Sequence, residues 1–435
     1  MTRLRIALLI HDIDACGGME RQASLLARRL AARGHTLQVV CHEHKEVSWG
    51  ALRCAPPERR AAFVLHKVPL LRGVPAEAAH ELALLTAARS LRHDGVDVLL
   101  AIHISSAPAA RDLGQLLRVP WVVKLAGGGP SGDMAATLRG SRTAPGLAAL
   151  RRADRVVCVS AQIEEEVRGA GVSPAVLARI PNGVDLASLS GETAVAPQTL
   201  GLDPGARPIL FVGRLDAGKR VDVLLRALAL LLRSRPEVHL LVAGTGPDEV
   251  QLRSLAAELG LAERVRFLGQ RDDVPGLLKL AGAFVLPSIA EGMSNALLEA
   301  LAAGTPVVAT RIPANEGVVD DGSAWLVPVD DAPALAASLE EALFSLPAAR
   351  ARVARGVHLV RERFDIERVA AAYEALFLDL SRGRGSWAGV LPLLEEQTRH
   401  TRAWLRDQAE ARLRSTVSAA VVAIKRLAGR GAGRT

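Results

Sequence analysis

The sequence predicts an α/β protein of two doubly wound, Rossmann-like domains facing a central cleft, followed by a helical tail. Three observations carry this expectation. Short apolar runs alternate with longer runs of helical period along most of the chain. The alternation comes in two series, separated by a stretch rich in Gly, Pro, Ser and Thr. Several helical runs stop at a glycine (Gly34, Gly260, Gly304), a common helix end. Strand–helix alternation of this kind gives parallel sheets covered by helices on both faces.

The first series places strands at 5–10, 36–42, 96–102, 121–125 and 155–159. The second places them at 208–213, 239–243, 265–268, 283–286, 306–309 and 324–327. Each is a short apolar run of strand length. Between them, 21–33, 221–235 and 248–259 repeat apolar residues at three and four, the signature of amphipathic helices. The division that follows is a first domain over 1–188, a linker over 189–207, a second domain over 208–380 and a tail over 381–435. Ligands of such folds sit at the carboxyl ends of the strands, and two facing domains make a cleft there.

Composition bounds the function. The chain has 435 residues, 49 % hydrophobic and 23 % charged, which suits two globular domains and excludes wholesale disorder. The formal net charge is +8. Residues 381–435 hold eleven Arg or Lys against four acids, a net +7, which leaves +1 for the rest. A basic tail on a near-neutral body is not a nucleic-acid-binding domain. Cys16, Cys41, Cys54 and Cys158 show no C-x-x-C spacing and read as reduced thiols of a cytoplasmic protein. The apolar run 6–10 is cut by His11 and Asp12, so it reads as a strand and not as a secretion signal. No stretch reaches the ~18 apolar residues of a membrane span.

Four loops hold candidate chemistry. The first is PSIAEGMSNALLEA at 287–300. A buried strand runs into a loop, and a helix begins near Ser294. The free N–H groups and positive dipole of a helix start suit phosphate or sugar hydroxyls. Glu291 lies in the loop, and Glu299 lies in the helix, roughly 7–8 Å along its axis. The second is FVGRLDAGKR at 211–220, where Arg214 and Lys219 flank a glycine-containing loop and would clamp a diphosphate. The third is ACGGME at 15–20, where Gly17 and Gly18 open a helix and let backbone N–H groups approach an anion. It lacks the G-x-G-x-x-G spacing of nicotinamide binders. The fourth, LVAGTGP at 241–247, reads as a structural turn. Taken singly, each loop also has a plain reading as a strand–helix connection with surface charges.

In this order, these motifs resemble the retaining glycosyltransferases of the GT-B fold, glycosyltransferase family four (group 1). IPNGVD at 180–185, VRFLGQ at 265–270 and GTPVVAT at 304–310 extend the match. The resemblance runs from about residue 5 to about residue 380, and the combination is specific where no single piece is.

The resemblance implies roles. Glu291 would contact the donor sugar. The main chain from Gly292 through Met293 and Ser294 to Asn295 would hold sugar hydroxyls and phosphate, and Glu299 would bind the ribose. Arg214 and Lys219 would neutralise the leaving diphosphate. Gly17 and Gly18 would approach that diphosphate from the first domain, and the backbone at Arg271 would read the base. The implied reaction is metal-independent transfer with retention, from a nucleotide diphosphate sugar to a glycan or lipid-linked acceptor, with no cofactor and no nucleic-acid partner. It needs stabilisation of departing phosphate, not a glycosidase-type carboxylate pair.

One departure stands out. Many relatives place a histidine after the strand at 121–125, where this chain reads KLAGGGP at 124–130. Lys124 is the acceptor-side candidate there. His103, at the preceding strand end, is either the histidine of the cleft or a packed strand-end residue. The basic tail reads as an amphipathic helix, with Trp404, Leu405, Leu413, Val417 and Val421 among its apolar positions. It suits an anionic membrane surface at the inner face of the cell membrane, or packing on the first domain or a second copy. Two rival readings remain at this level: a catalytically degenerate scaffold or partner subunit, and a nucleotide-sugar epimerase of the same fold. Donor base, donor sugar and acceptor leave no decodable trace in the side chains.

Overall fold

A computed structural model describes residues 2–11, 17–47, 58–59, 63–71, 87–88, 91, 94–129, 132–135 and 144–382. The tail expected to meet a membrane lies almost wholly outside them. Among the described residues, no helix is long and apolar enough to cross a membrane.

The described residues form two sheets. The first domain builds β1 (Arg5–Leu9), β2 (Thr36–Val47), β3 (Glu58–Arg59), β4 (Val64–Leu71), β5 (Val98–Ile102), β6 (Trp121–Leu125), β7 (Arg155–Cys158) and β8 (Leu177–Arg179). They lie in the order β3-β4-β2-β1-β5-β6-β7-β8. Every pairing is parallel except β3 with β4. The second domain builds β9 (Arg207–Val212), β10 (Val238–Ala243), β11 (Val265–Gly269), β12 (Ala283–Leu286), β13 (Val307–Thr310) and β14 (Trp325–Val327). Their order, β11-β10-β9-β12-β13-β14, is that of dinucleotide-binding folds. The order reverses between β9 and β12, and both loops expected to hold the donor leave those two strands.

Strand periodicity explains the layering. In β1, Ala7 and Leu9 enter one core while Ile6 and Leu8 enter the core on the opposite face. In β10, Leu240 and Val242 face one way and Leu241 and Ala243 the other. Both strands are buried on both faces, so their runs are almost continuously apolar.

The expected strands are found with ends shifted by a residue or two, apart from β2, which continues to Val47. β3, β4 and β8 were not expected. The apolar run of β4 is broken by His66, Lys67 and Pro69, and β8 is a three-residue edge strand without a buried face.

The domain boundaries also need correction. The stretch read as a linker packs on the second domain. Leu189 and Leu202 enter its core, and Val195 N–H donates to the Gly276 carbonyl (3.1 Å). The helix Ile366–Ser381, assigned by sequence adjacency to the second domain, returns to the first. Ile366, Val369, Tyr373 and Phe377 join Leu8, Leu26 and Leu30 in its core. Glu374 fixes it there, accepting from Arg33 Nε (2.8 Å) and from the His35 ring (3.1 Å). The Arg33 hydrogen bond draws the Glu374 carboxyl below its usual range, against the opposing effect of burial.

Candidate active site

The donor loop grows out of β12. Its helix, Asn295–Ala303, starts where expected, with Ser294 as the N-cap accepting from Leu297 N–H (3.3 Å). That hydroxyl satisfies one of the helix's orphan donors and leaves others facing outward. The loop is braced from below. Thr310, at the end of β13, donates to the Ser288 carbonyl (2.5 Å), and Asn315 donates to the Thr310 carbonyl (2.8 Å). Ile289 N–H donates to the Gly218 carbonyl (3.0 Å), which joins the two donor loops.

Across that junction, Lys219 Nζ meets Glu291 Oε1 at 2.6 Å, and the same oxygen accepts from Ser288 Oγ at 2.7 Å. The Glu291 side chain is 9 % exposed and Lys219 is 23 % exposed. An ammonium and a carboxylate expected to act separately are thus one partly buried ion pair. Its hydrogen bonds offset the desolvation that burying charges costs. Arg214 is different. It is 74 % exposed and bonds Asp216 at 2.7 Å, while the other Asp216 oxygen accepts from Gly218 N–H (3.0 Å) and shapes the loop. Arg214 is the exposed cation of the pair of loops and Lys219 the partly buried one.

The backbone ends of β9, β10 and β11 converge beside this pair. Gly213 N–H donates to the Ala243 carbonyl (3.0 Å), and Gly244 N–H donates to the Gly269 carbonyl (2.7 Å). Arg271 does not reach into the loops. Its guanidinium grips Asp273 through two bonds of 2.8 and 2.6 Å, and that hydrogen bond raises its pKa against the effect of burial.

The first domain meets the donor loop directly. Asn295 Nδ2 donates to the Gly18 carbonyl (2.9 Å), and Asn182 Nδ2 donates to Asn295 Oδ1 (2.9 Å). Asn182 N–H also points to Met293 Sδ at 3.3 Å. Gly17 caps the first helix as expected, its carbonyl accepting from Arg21 N–H (3.1 Å). The closest approach is at Gly292, where a Cβ would fall onto the Ala126 carbonyl. A Cβ at Gly128 would lie 3.1 Å from the Glu291 carbonyl. Glycine is required on both sides of this seam because backbone meets backbone. Gly128, in the KLAGGGP stretch, thus lines the contact between domains.

Glu299 is half-buried. Burial raises its pKa, and the positive charge of Arg21, from the first domain, opposes the rise. Lys124 departs from its expected acceptor role. It is 4 % exposed, and its ammonium lies 6.0 Å from the centre of the Tyr373 ring on the returning helix. Burial lowers its pKa to about 8. A lysine packed under that helix cannot touch an acceptor.

His103 ends β5 with φ 78° and ψ 152°, a region that non-glycine residues seldom occupy. Its Nε2 meets Asp133 Oδ1 at 2.6 Å. Its Nδ1 accepts from Ser105 N–H (3.2 Å) and lies 2.9 Å from Ser105 Oγ. The network therefore assigns the ring proton to Nε2. Burial works against the charged ring, but the Asp133 hydrogen bond and the charges of Asp133 and Glu20 outweigh it and raise the pKa. Both ring nitrogens are committed to protein groups, so His103 has none spare for a substrate.

The sequence reading missed Ser288, Thr310, Asn182 and Asp133. Asn182 stands in the quoted IPNGVD stretch, and Ser288 stands three residues before Glu291 in the quoted donor loop. Both carried a signal that was not used. Thr310 likewise closes the quoted GTPVVAT stretch, whereas Asp133 lies outside every quoted motif and carried no signal.

Comparison with known proteins gives a consistent result. Residues 17–183 match the glycosyl transferase 4-like domain, and residues 206–344 match the glycosyl transferases group 1 family. The chain is 41 % identical over 197 residues to the phosphatidyl-myo-inositol mannosyltransferase of Mycobacterium leprae, covering 44 % of this chain and 50 % of the relative. It is 41 % identical over 182 residues to the D-inositol 3-phosphate glycosyltransferase of Mycolicibacterium gilvum, covering 40 % of each. The match thus spans half or less of the length of these curated relatives. Among solved structures, Alr3699/HepE of Anabaena, in complex with UDP and glucose, superposes with a TM-score of 0.72 at 18 % identity, over 87 % of this chain and 100 % of that one. With a match to the glycosyl transferase 4-like domain in front and to the group 1 family behind, each on its own parallel sheet, the chain has the GT-B fold.

Proposed function

We propose that the protein transfers a hexose-type unit, with retention and without a metal, from a nucleotide diphosphate sugar to a glycan or lipid-linked acceptor. The Lys219–Glu291 pair at 2.6 Å, at the meeting point of both donor loops and against the seam with the first domain, carries this reading. Lys219 and Arg214 supply the positive charge that a departing diphosphate needs, and the Ser294-capped helix start adds a dipole. The bond from the anomeric carbon to the phosphate oxygen breaks as the acceptor hydroxyl oxygen bonds to that carbon. The hydroxyl proton passes to the leaving diphosphate on the same face. Glu291, held by Lys219 and Ser288, orients the sugar. Glu299 takes the ribose hydroxyls, and Gly17 and Gly18 cover the diphosphate from the first domain.

The two relatives act on inositol-containing molecules by name, and Alr3699/HepE was solved with UDP and glucose. These likenesses support a mannosyl or glucosyl donor and a glycolipid product. The reading adds that the product is made on the cytoplasmic side, with the basic tail against the membrane.

The test is release of nucleoside diphosphate from UDP-glucose and GDP-mannose by the full chain, in the presence of EDTA. The reading expects release with at least one donor, reduced about 100-fold or more by Glu291→Gln, in the range that loss of one electrostatic group costs. Release that survives the combined change Lys219→Ala and Glu291→Gln contradicts it.

A further inference from the structure

The strained histidine and the glycine seam belong to one chain of contacts. Asp133 is the link. Its side chain is 1 % exposed. Besides Nε2 of His103, it bonds the N–H groups of Ala126 and Gly127, both at 3.0 Å through Oδ2. Its own backbone N–H donates to the Gly127 carbonyl (3.0 Å). The turn that follows β6 is therefore tied through two N–H groups to the buried carboxylate of Asp133 and through the Gly127 carbonyl to the main chain of the same residue. That turn bears the Ala126 carbonyl on which Gly292 rests, and Gly128, which faces the Glu291 carbonyl.

We propose that His103 and Asp133 are positioning residues that hold the Ala126–Gly129 turn in the shape against which Glu291 and Gly292 seat. The physical case has three parts. A backbone at φ 78° in a residue with a Cβ costs of order 1–3 kcal/mol and persists only where the surroundings enforce it. Here the enforcement is the pair of ring bonds to Ser105 and Asp133. A buried carboxylate needs several donors, and the ring N–H and two backbone amides are among those of this one. The seam is backbone against backbone, so a shift of the turn passes to the main chain of Glu291 without side-chain slack. The charged groups acting on the ring are Asp133 itself and Glu20 from the first helix.

The catalytic half of this inference rests on the donor site proposed above, and the structural half does not. Hydrogen exchange on the full chain without ligand reads the structural half. Asp133→Asn is expected to speed exchange at 121–129 and, across the seam, at 287–294 in the second domain. His103→Ala does the same. His103→Gln keeps an N–H for Asp133 and restores slow exchange. Faster exchange confined to the first domain, or a His103→Ala protein that exchanges as the wild type does, overturns the proposal.

Nucleoside diphosphate release from UDP-glucose or GDP-mannose reads the catalytic half. Asp133→Asn is expected to lower kcat by about 10–100-fold, the penalty for a misplaced group, with KM for the donor unchanged. A rise in KM at constant kcat contradicts a positioning role. If the wild type releases nothing from either donor, the donor-site reading fails, and exchange across the seam still decides the clamp.

Discussion

Glu299 and Lys124 are two charged side chains to which the fold gives different neighbours, Arg21 for the one and the Tyr373 ring for the other. Both are ionisable groups that burial pushes toward neutrality. Glu299 binds its proton more tightly in the folded chain than in the unfolded one. Stability is therefore lost as pH rises from 4.5 through the raised pKa. Glu299→Gln removes that loss. It should melt higher than the wild type at pH 7 while binding nucleoside diphosphates at least tenfold more weakly, the scale of one lost charged hydrogen bond. A lower melting temperature contradicts the assignment. For Lys124 the sign is opposite. Between about 8 and 10.5 the unfolded chain keeps the proton and the folded chain does not, so stability rises with pH across that window. Lys124→Met should melt higher at pH 7, lose the rise and leave donor turnover intact. Loss of turnover in a folded Lys124→Met protein would return the residue to the acceptor side.

Among the elements, the helix Asn295–Ala303 was the most legible. A continuous apolar strand, a loop with Gly292, a serine cap and the glycine at 304 mark its whole course in the sequence. Ser294→Ala should cost about 0.5–2 kcal/mol, read from denaturant melts, and weaken donor binding along with it. An unchanged melt would mean that the cap bond is dispensable. β4 was illegible for the converse reason. Its apolar run is interrupted by His66, Lys67 and Pro69 with no regular period, and its place in the sheet comes from pairing with β2, a contact that no local pattern announces. The ion pair of Lys219 with Glu291 was legible as two residues but not as a pair. Their contact spans 72 positions and depends on β9 and β12 being neighbours at the reversal of strand order.

At the scale of the molecule, the two sheets were readable from the alternation of runs, whereas the path of the chain between them was not. Periodicity says that the helix Ile366–Ser381 has an apolar face. It does not say that the face lands on the first domain, because both domains offer cores of similar chemistry. The seam has the same character. Gly292 is a single glycine in the sequence and Gly128 the middle one of three, and they become the contact line only when the domains meet. Gly292→Ala should keep both domains folded, with melting shifted by little, and should force them apart. Small-angle scattering is expected to show a larger radius of gyration, with donor turnover lost. A folded variant of unchanged size and full turnover would show that the seam does not hold the cleft.

The central claim is that the loops after β9 and β12 form one diphosphate-binding site through Lys219. Calorimetry of UDP and GDP with the full chain, beside Lys219→Ala, tests it most directly. Binding of at least one of the two is expected. The variant should lose about 1.5–3 kcal/mol of binding energy, the range for a charged hydrogen bond, at an unchanged fold. Equal affinity in the variant and the wild type, or no binding of either nucleotide by a folded wild type, would contradict it.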